Sequence, residues 1–196
     1  MNTDAVKMYR AFYKSPIGDI EVTATAKEIC SLEFVKGKRT GKATKLSPAL
    51  REALKQLDEY FRGKRRIFEL MLRLEGSEFQ LDVWQALLDI PYGATASYRD
   101  VAKAVGRPEA VRAVGAANGA NPISLIIPCH RIIGADGRLV GYGGGLDRKE
   151  WLIEHEWKHA GQAVAGPKAK AGKAAKASKA PKAKYRPARG IRRTRP

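Results

Sequence analysis

The first part of the chain alternates apolar and polar residues in a way that predicts β-strands. Ile20 to Thr25 alternates regularly, and Cys30 to Val35 repeats the alternation after a turn at residues 27–28. Residues 8–13 are rich in aromatic and aliphatic side chains and lead into a Ser-Pro-Ile-Gly turn at 15–18. Three short strands in succession predict an antiparallel meander.

Helical spacing begins at Ser47. A serine followed by proline is a typical helix start, because the serine caps the first turn and proline fits the first helical position. Gly63 marks the predicted end of this helix. Apolar residues recur between these points at Leu50, Leu54, Leu57 and Phe61.

A second group of helices follows a domain boundary that we place near Gly76. Ser77 and Gln80 form a predicted capping box at the start of the first of these helices. A second helix opens at Ser97, and a third runs from Pro108 to about Ala117. Two short helices joined by a glycine turn predict a helix-turn-helix, and residues flanking the glycines at 141–145 have the pattern of a small wing.

The last predicted helix runs from Lys149 to about Lys158, and the composition changes after it. The chain has 196 residues and a formal net charge of +17. Residues 158–196 contain 13 Lys or Arg and no Asp or Glu, which leaves 24 basic and 20 acidic side chains elsewhere. A segment so poor in large apolar residues cannot offset its ordering entropy, so we expect residues 160–196 to be disordered.

These elements predict an α+β protein with three parts. Residues 1–76 form a small antiparallel-sheet domain with one helix, residues 77–159 form a helical domain with the helix-turn-helix, and residues 160–196 form the basic tail. The basic excess indicates a polyanionic partner, and nucleic acid fits best. We expect the tail to add salt-sensitive, sequence-independent affinity for DNA.

The same composition argues against a membrane protein or a metal protein. No window approaches 18 uninterrupted apolar residues, and the N-terminus has no signal-peptide core. With two cysteines we expect a cytoplasmic protein with reduced thiols, associated with the nucleoid through DNA. The three histidines do not show zinc spacing, and we interpret His155 and His159 as members of a solvated helix face.

Cys129 is the main chemical candidate. It lies in Pro-Cys-His-Arg at 128–131, directly after the apolar run Ile123–Ile127. Most free cysteines are small buried hydrophobes, so a nucleophile needs a base, and the base needs an orienting carboxylate. His130 is the adjacent base, acting directly or through water. Spacing alone leaves three carboxylates open on the last helix: Glu150, Glu154 and Glu156.

The predicted helix-turn-helix is either a DNA-binding element or an ordinary helical hairpin in a core. Its second helix carries the small residues Ala110, Ala113 and Gly115, which allow close approach to another surface, and Arg112 projects from it. Few side chains suited to reading bases are present, which favours binding through backbone and shape.

The residues by themselves leave the reaction open. Single-use DNA repair through Cys129, and a damage-binding protein without chemistry, are implied only by the family resemblance given below. A winged-helix regulator predicts tight binding to one sequence without a covalent step, and a cysteine hydrolase predicts turnover.

Several motifs together resemble the O6-alkylguanine-DNA alkyltransferases, in the constitutive bacterial form. The resemblance is dense over residues 77–157 and looser over 8–76. The motifs are Phe-Gln-Leu-Asp-Val-Trp at 79–84, Ile-Pro-Tyr-Gly at 90–93, Ser-Tyr at 97–98, Asn-Pro at 121–122, Pro-Cys-His-Arg at 128–131, Tyr-Gly-Gly-Gly-Leu at 142–146 and Lys-Glu-Trp-Leu at 149–152.

This resemblance implies a ribonuclease-H-like N-terminal domain, a winged-helix-like C-terminal domain, a monomer and no cofactor or metal. The implied activity is the irreversible transfer of an alkyl group from O6-alkylguanine, and from O4-alkylthymine, in duplex DNA to Cys129. One transfer consumes the protein. The damaged base is flipped out of the stack, since its oxygen is unreachable inside the duplex.

The resemblance also implies roles for individual residues. His130 acts as the base through a water, Glu156 orients it, Tyr98 protonates the departing base, and Asn121 is the hinge between recognition helix and active site. Arg112 fills the gap left by the flipped base, with the helix in the minor groove alongside Ala110, Ala113, Gly115 and Tyr98. The implied substrate pocket contains Tyr142, Gly143, Ile132 and Lys149. Gly143 stands where some members of the family have serine.

Overall fold

The N-terminal meander forms as the alternation predicts. The computed structural model describes residues 6–35, 37 and 42–161, together with the backbone of residues 185–187. Strands β1 (Tyr9–Ser15), β2 (Gly18–Ala24) and β3 (Ile29–Phe34) pair in antiparallel order. Ile20, Val22 and Ala24 of β2 are fully buried, so one face of the sheet packs into the core.

Helix α1 (Pro48–Phe61) covers that buried face. The Ser47 side chain accepts a hydrogen bond from the backbone N–H of Leu50, as the predicted cap requires. Leu50, Leu57 and Tyr60 are fully buried along the inner side of the helix. Gly63 follows at φ +69°, a left-handed conformation that favours glycine at a helix end.

A fourth strand, β4 (Leu72–Leu74), extends the sheet by pairing in parallel with β3. The predicted disorder of the tail lies outside the described residues, except for strand β7 (Tyr185–Pro187). This strand pairs in parallel with β4, whose outer edge offers unpaired backbone groups. These three residues therefore depart from the expected disorder, and Ala160 still belongs to the preceding helix.

The C-terminal part contains the helix-turn-helix. Helix α2 (Glu78–Leu88) has the predicted capping box of Ser77 and Gln80. Helices α3 (Tyr98–Ala104) and α4 (Val111–Gly119) pack against each other and against α2. Helix α4 begins at Val111 rather than Pro108, because residues 107–110 form a hydrogen-bonded turn. Trp84 of α2 donates from Nε1 to the carbonyl of Ala117 at 2.8 Å, which fixes α4 in place.

The rest of the domain is built of turns and one long helix. A two-residue strand β5 (Ala96–Ser97) pairs in parallel with β6 (Ile132–Ile133). The expected wing strands around residues 141–145 are absent from the described structure, where residues 134–145 form irregular backbone with turns at 135–136 and 143–144. Helix α5 (Leu146–Ala160) starts three residues before the predicted position and packs across both halves of the chain.

The apolar run before Cys129 forms turns and not a strand. Ile123 makes a single parallel bridge to Leu32 of β3, and the Ser124 N–H donates to the Leu32 carbonyl at 2.9 Å. Leu125 is buried at φ +69°, a backbone conformation that costs an L-residue about 1 kcal/mol or more. One hydrophobic core runs through both domains, so these contacts hold the run against the N-terminal sheet.

Candidate active site

Cys129 lies at the base of a cleft of about 670 Å³ between the two domains. It opens a single turn of 3-10 helix, Cys129–Arg131, and its side chain is almost completely buried. Burial raises the pKa of the thiol, while hydrogen bonds from the Asn121 and Ser124 side chains and the charge of Lys149 act in the opposite direction. The resting thiol is therefore protonated and needs a base to become a nucleophile.

His130 is the candidate for that base, since it is adjacent to Cys129 in the 3-10 turn. Its Nε2 atom lies 2.9 Å from Oε1 of Glu156, and its ring is fully buried. Burial lowers the pKa of His130 against the opposing influence of Glu156, so the imidazole is neutral. The hydrogen bond to a carboxylate assigns the ring proton to Nε2. Nδ1 has no protein partner among the described residues and is left as the proton acceptor.

Glu156 holds this arrangement together, and the structure selects it over Glu150 and Glu154, which are exposed. Burial by itself would raise the pKa of Glu156, but Arg131 and His130 hold it well below its usual range. Arg131 donates to both carboxylate oxygens, at 2.8 and 3.0 Å. A buried carboxylate with this many donors stays ionised and cannot move.

Two further donors to Glu156 come from residues to which the sequence analysis assigned no role in the site. The hydroxyl of Tyr60, in the N-terminal domain, donates to Oε1 at 2.9 Å. The backbone N–H of Gly93 donates to Oε2 at 3.0 Å. Gly93 has φ +78°, and a Cβ there would lie 2.6 Å from the Cβ of Ala160, so only glycine brings this N–H so close.

Asn121 ties the end of α4 to the turn that presents the thiol. Its Nδ2 donates to the carbonyl of Ile127 at 2.9 Å, and its Oδ1 accepts from the N–H of Ile123 at 3.0 Å. The side chain is buried and also lines the cleft. Asn121 therefore positions both the loop and the sulfur.

The predicted pocket residues divide into two groups. Tyr142 and Gly143 line the cleft, as do Tyr98 and Gly115. Burial raises the pKa of Tyr98, with a smaller contribution from Cys129, so its hydroxyl is a proton donor at neutral pH. A Cβ at Gly143 would meet nothing within 4 Å, so the position has room for the serine of other members.

Ile132 and Lys149 do not line the cleft. Ile132 is buried in β6, in the core. Lys149 is fully buried behind the cleft, where its Nζ donates to the carbonyl of Val140 at 2.5 Å and lies 3.4 Å from that of Gly141. Burial lowers the pKa of Lys149 to about 8. Lys149 supports the loop over the thiol instead of contacting what enters the cleft.

Helix α4 is the second helix of the helix-turn-helix, and the residues predicted to face DNA lie on its solvent-accessible side. Arg112 and Ala113 are exposed, Ala110 is the residue just before the helix, and Gly115 reaches the mouth of the cleft. The exposed face of α4 and the entrance to Cys129 are therefore continuous.

Two family models match the chain. The ribonuclease-like domain of 6-O-methylguanine DNA methyltransferase matches residues 8–74, and the DNA-binding domain of that family matches residues 78–158. A methylated-DNA–protein-cysteine methyltransferase of Methanosarcina barkeri is 47% identical over 153 residues, covering 76% of this chain and 97% of that protein. Its namesake from Mycobacterium leprae is 50% identical over 149 residues, covering 74% of this chain and 89% of that protein. The chain belongs to the 6-O-methylguanine DNA methyltransferase family.

Solved structures of the family agree with the fold. The crystal structure of the O6-methylguanine methyltransferase of Mycobacterium tuberculosis superposes with a TM-score of 0.71 at 42% identity, over 78% of this chain and 94% of that chain. The same enzyme in complex with DNA gives a TM-score of 0.70 at 44% identity, over 76% and 92%. The α+β architecture, with an N-terminal sheet domain and a C-terminal DNA-binding domain, is confirmed.

The expectation of a solvated histidine face on α5 is wrong for His155. This residue is buried, stacks on Trp151 with ring centroids 4.7 Å apart, and has Nε2 2.8 Å from the carbonyl of Tyr60. Within the described ranges no three His, Cys, Asp or Glu side chains are grouped as metal ligands, and no helix is long and apolar enough to cross a membrane.

We expect Lys149→Met to slow the reaction of Cys129 with iodoacetamide about tenfold at neutral pH. The buried ammonium favours the thiolate, and each unit by which its loss raises the thiol pKa reduces the thiolate fraction tenfold. The rate is read on the Cys129 peptide by mass spectrometry, which separates it from half-buried Cys30. An unchanged rate means that the charge of Lys149 does not reach the sulfur.

The same substitution has a second signature in stability. The folded pKa of Lys149 lies near 8, below its ordinary 10.5, so the unfolded state binds more protons between those values. Wild-type stability therefore rises as the pH increases through this window. Because methionine does not titrate, this part of the rise disappears in the variant.

Proposed function

We propose that this protein repairs alkylated duplex DNA by moving the alkyl group from O6 of guanine to Sγ of Cys129. The observation that carries the proposal is a buried thiol at the base of a cleft, backed by the His130–Glu156 pair and opening beside α4. As a member of its family, the protein is a methylated-DNA–protein-cysteine methyltransferase. It acts on DNA in the cytoplasm, and O4-alkylthymine is a second substrate.

The chemistry follows from the donors and acceptors around Cys129. The thiol proton passes through a water to Nδ1 of His130, and the imidazolium that forms is stabilised by Glu156. The thiolate then attacks the alkyl carbon from the side opposite O6. The bond between the alkyl carbon and O6 breaks, and its electron pair leaves with the guanine. The Tyr98 hydroxyl protonates the departing base and recovers a proton from His130 by way of solvent, so that protons balance.

The reaction consumes the protein. The product is a thioether on Cys129, and regenerating the thiol would require a second nucleophile to attack the alkyl carbon and expel the Cys129 thiolate. Among the described residues, Cys129 is the only thiol that lines the cleft, and no three potential metal ligands are grouped together. One molecule of protein therefore repairs one base.

Access to the damaged oxygen requires the base to leave the stack. Helix α4 offers its small residues to the minor groove, and Arg112 enters the duplex where the base was. The flipped guanine passes Gly115 and Tyr98, which line the cleft between α4 and Cys129.

The test is to incubate the protein with duplex DNA containing O6-methylguanine and to measure its mass, intact and as peptides. We expect a gain of one methylene, located on the Cys129 peptide and limited to one equivalent. Cys129→Ser provides the control and should show no gain. A gain on another residue, repeated turnover, or no gain with a folded wild-type protein contradicts the proposal.

A further inference from the structure

The cleft above Cys129 is larger than a methylated base requires. A methylated guanine has about a dozen non-hydrogen atoms. If each atom is given roughly the 30 Å³ that one water molecule occupies in the liquid, the base fills about half of the 670 Å³. Part of the lining comes from the N-terminal sheet and not from the domain of Cys129, and we call Glu21, Ser31 and Glu33 of this part the far wall. The outer part of the cleft is therefore available to the far end of a long O6 substituent.

This far wall is acidic in a protein of strongly positive charge. Glu21 and Glu33 are direct partners in the register of β2 and β3, an arrangement that costs stability. Glu21 forms an ion pair with Arg10 at 2.9 Å, whereas Glu33 is exposed and forms no ion pair within the described residues. Among the residues that the structure describes, no lysine or arginine lines the cleft. Carboxylates beside a DNA-binding surface repel phosphate, so their placement favours a different, cationic ligand.

Asn118 supplies an independent sign of a ligand in the same cleft. It lies in the last turn of α4, is 5% exposed and lines the cleft. Its Oδ1 atom is buried without a hydrogen-bond partner among the described residues. An acceptor removed from water in this way costs about 1–3 kcal/mol unless a donor reaches it. The lining of the cleft thus contains one unused acceptor, on Asn118, and one unpaired negative charge, on Glu33.

We propose that Asn118 and Glu33 form a subsite for the outer end of extended O6 substituents, and that it selects ends that donate hydrogen bonds and carry positive charge. This inference rests on the proposed alkyl transfer to Cys129. The preferred substrates are O6-alkylguanines with an amine a few bonds from the oxygen, and substituents ending in a carboxylate are disfavoured.

The experiment compares duplexes that carry O6-methyl-, O6-pentyl-, O6-(4-aminobutyl)- or O6-(3-carboxypropyl)guanine in one sequence. The last three substituents are similar in length and differ in the charge of their ends. Single-turnover transfer rates are normalised to the methyl rate of the same variant. For the wild type we expect the aminobutyl group to be transferred about three- to tenfold faster than pentyl, and the carboxypropyl group more slowly than pentyl.

Two variants assign the preference to the subsite. Glu33→Gln keeps the shape of an exposed side chain and should bring the aminobutyl-to-pentyl ratio close to one. Asn118→Leu should lower the same ratio by removing the acceptor. Glu154→Gln is the matched control, since it removes one exposed carboxylate from α5, away from the cleft, and should leave every ratio unchanged.

The outcomes separate this inference from the proposed function. If the wild type transfers methyl groups but treats the three longer substituents alike, the subsite is refuted and the proposed function stands. The subsite is also refuted if the preference survives in both Glu33→Gln and Asn118→Leu. If the wild type transfers no methyl group, the proposed function fails and the subsite fails with it.

Discussion

Replacing Glu156 with glutamine is expected to lower the free energy of unfolding by about 3–5 kcal/mol and the rate of alkyl transfer by roughly 100-fold or more. The two side chains have nearly the same size, so the effect comes from charge and hydrogen bonding. Arg131 would be left as a buried cation without its partner, and it donates to both oxygens of Glu156. His130 would lose the anion that orients its ring and stabilises its charged form.

The pH dependence of stability provides a separate check on this substitution. Because the folded pKa of Glu156 is depressed, its stabilising contribution is present above the ordinary glutamate pKa of about 4.3 and is lost as the pH falls toward the folded value. Wild-type stability should therefore fall steeply below about pH 4. The variant should lack this part of the fall, since an amide does not titrate in this range.

Glu154→Gln is the control, because this exposed neighbour undergoes the same chemical change two residues away. Its free energy of unfolding should stay within about 0.5 kcal/mol of the wild type. Both variants are measured by urea denaturation at pH 7 and pH 3, and their transfer rates are compared at a temperature where both are folded. If Glu156→Gln unfolds at the same urea concentration as Glu154→Gln, the buried network does not stabilise the fold.

The local elements were predictable from sequence because their signals are local. Ser47, Ser77 and Ser97 each cap the helix that follows them, and the bonds involve residues at most three positions away. The start of α4 was misplaced because Pro108 is a typical first helical residue. Here it instead lies in a turn that delays the helix to Val111.

The active site was predictable only in part, because its contacts join distant parts of the chain. Cys129 and His130 are adjacent in one motif, but Tyr60 reaches Glu156 across 96 positions and the sequence shows it only as part of an apolar helix face. The choice of Glu156 had one available signal. Lys149, Leu152 and Glu156 repeat at the spacing of one helix face, which places the glutamate on the buried side with Leu152. A buried carboxylate on an apolar face needs partners of opposite charge or hydrogen-bond donors. Arg131 is such a cation, and it lies next to His130 in the Pro-Cys-His-Arg motif.

A substitution of Arg112 by alanine is expected to slow transfer from duplex DNA by roughly 10- to 100-fold. Extruding a base from the stack costs a few kcal/mol. Each 1.4 kcal/mol by which the variant stabilises the extruded state less reduces its population, and with it the transfer rate, tenfold. Arg112 is exposed on α4, on the face that continues into the cleft, and no ion pair holds it in the described structure. The substitution therefore removes the side chain that occupies the space left by the flipped base, and it does not disturb the core.

The free base O6-benzylguanine separates this role from chemistry at Cys129. It needs no extrusion from a duplex, so Arg112→Ala should consume it at the wild-type rate while its rate on methylated duplex falls. A single-stranded oligonucleotide should be affected less than the duplex, because its bases are only partly stacked.

Arg99→Ala is the matched control for the loss of positive charge. Arg99 is an exposed arginine on α3, the first helix of the same motif, and its removal weakens phosphate contacts in a similar way. We expect it to reduce DNA affinity most at low salt and to make the affinity less dependent on salt, but to leave the transfer rate at saturating DNA nearly unchanged. If both alanine variants lose the same rate at saturation, Arg112 acts as a phosphate contact. If the free base and the duplex slow equally in Arg112→Ala, the defect lies at Cys129, and α4 is not the element that extrudes the base.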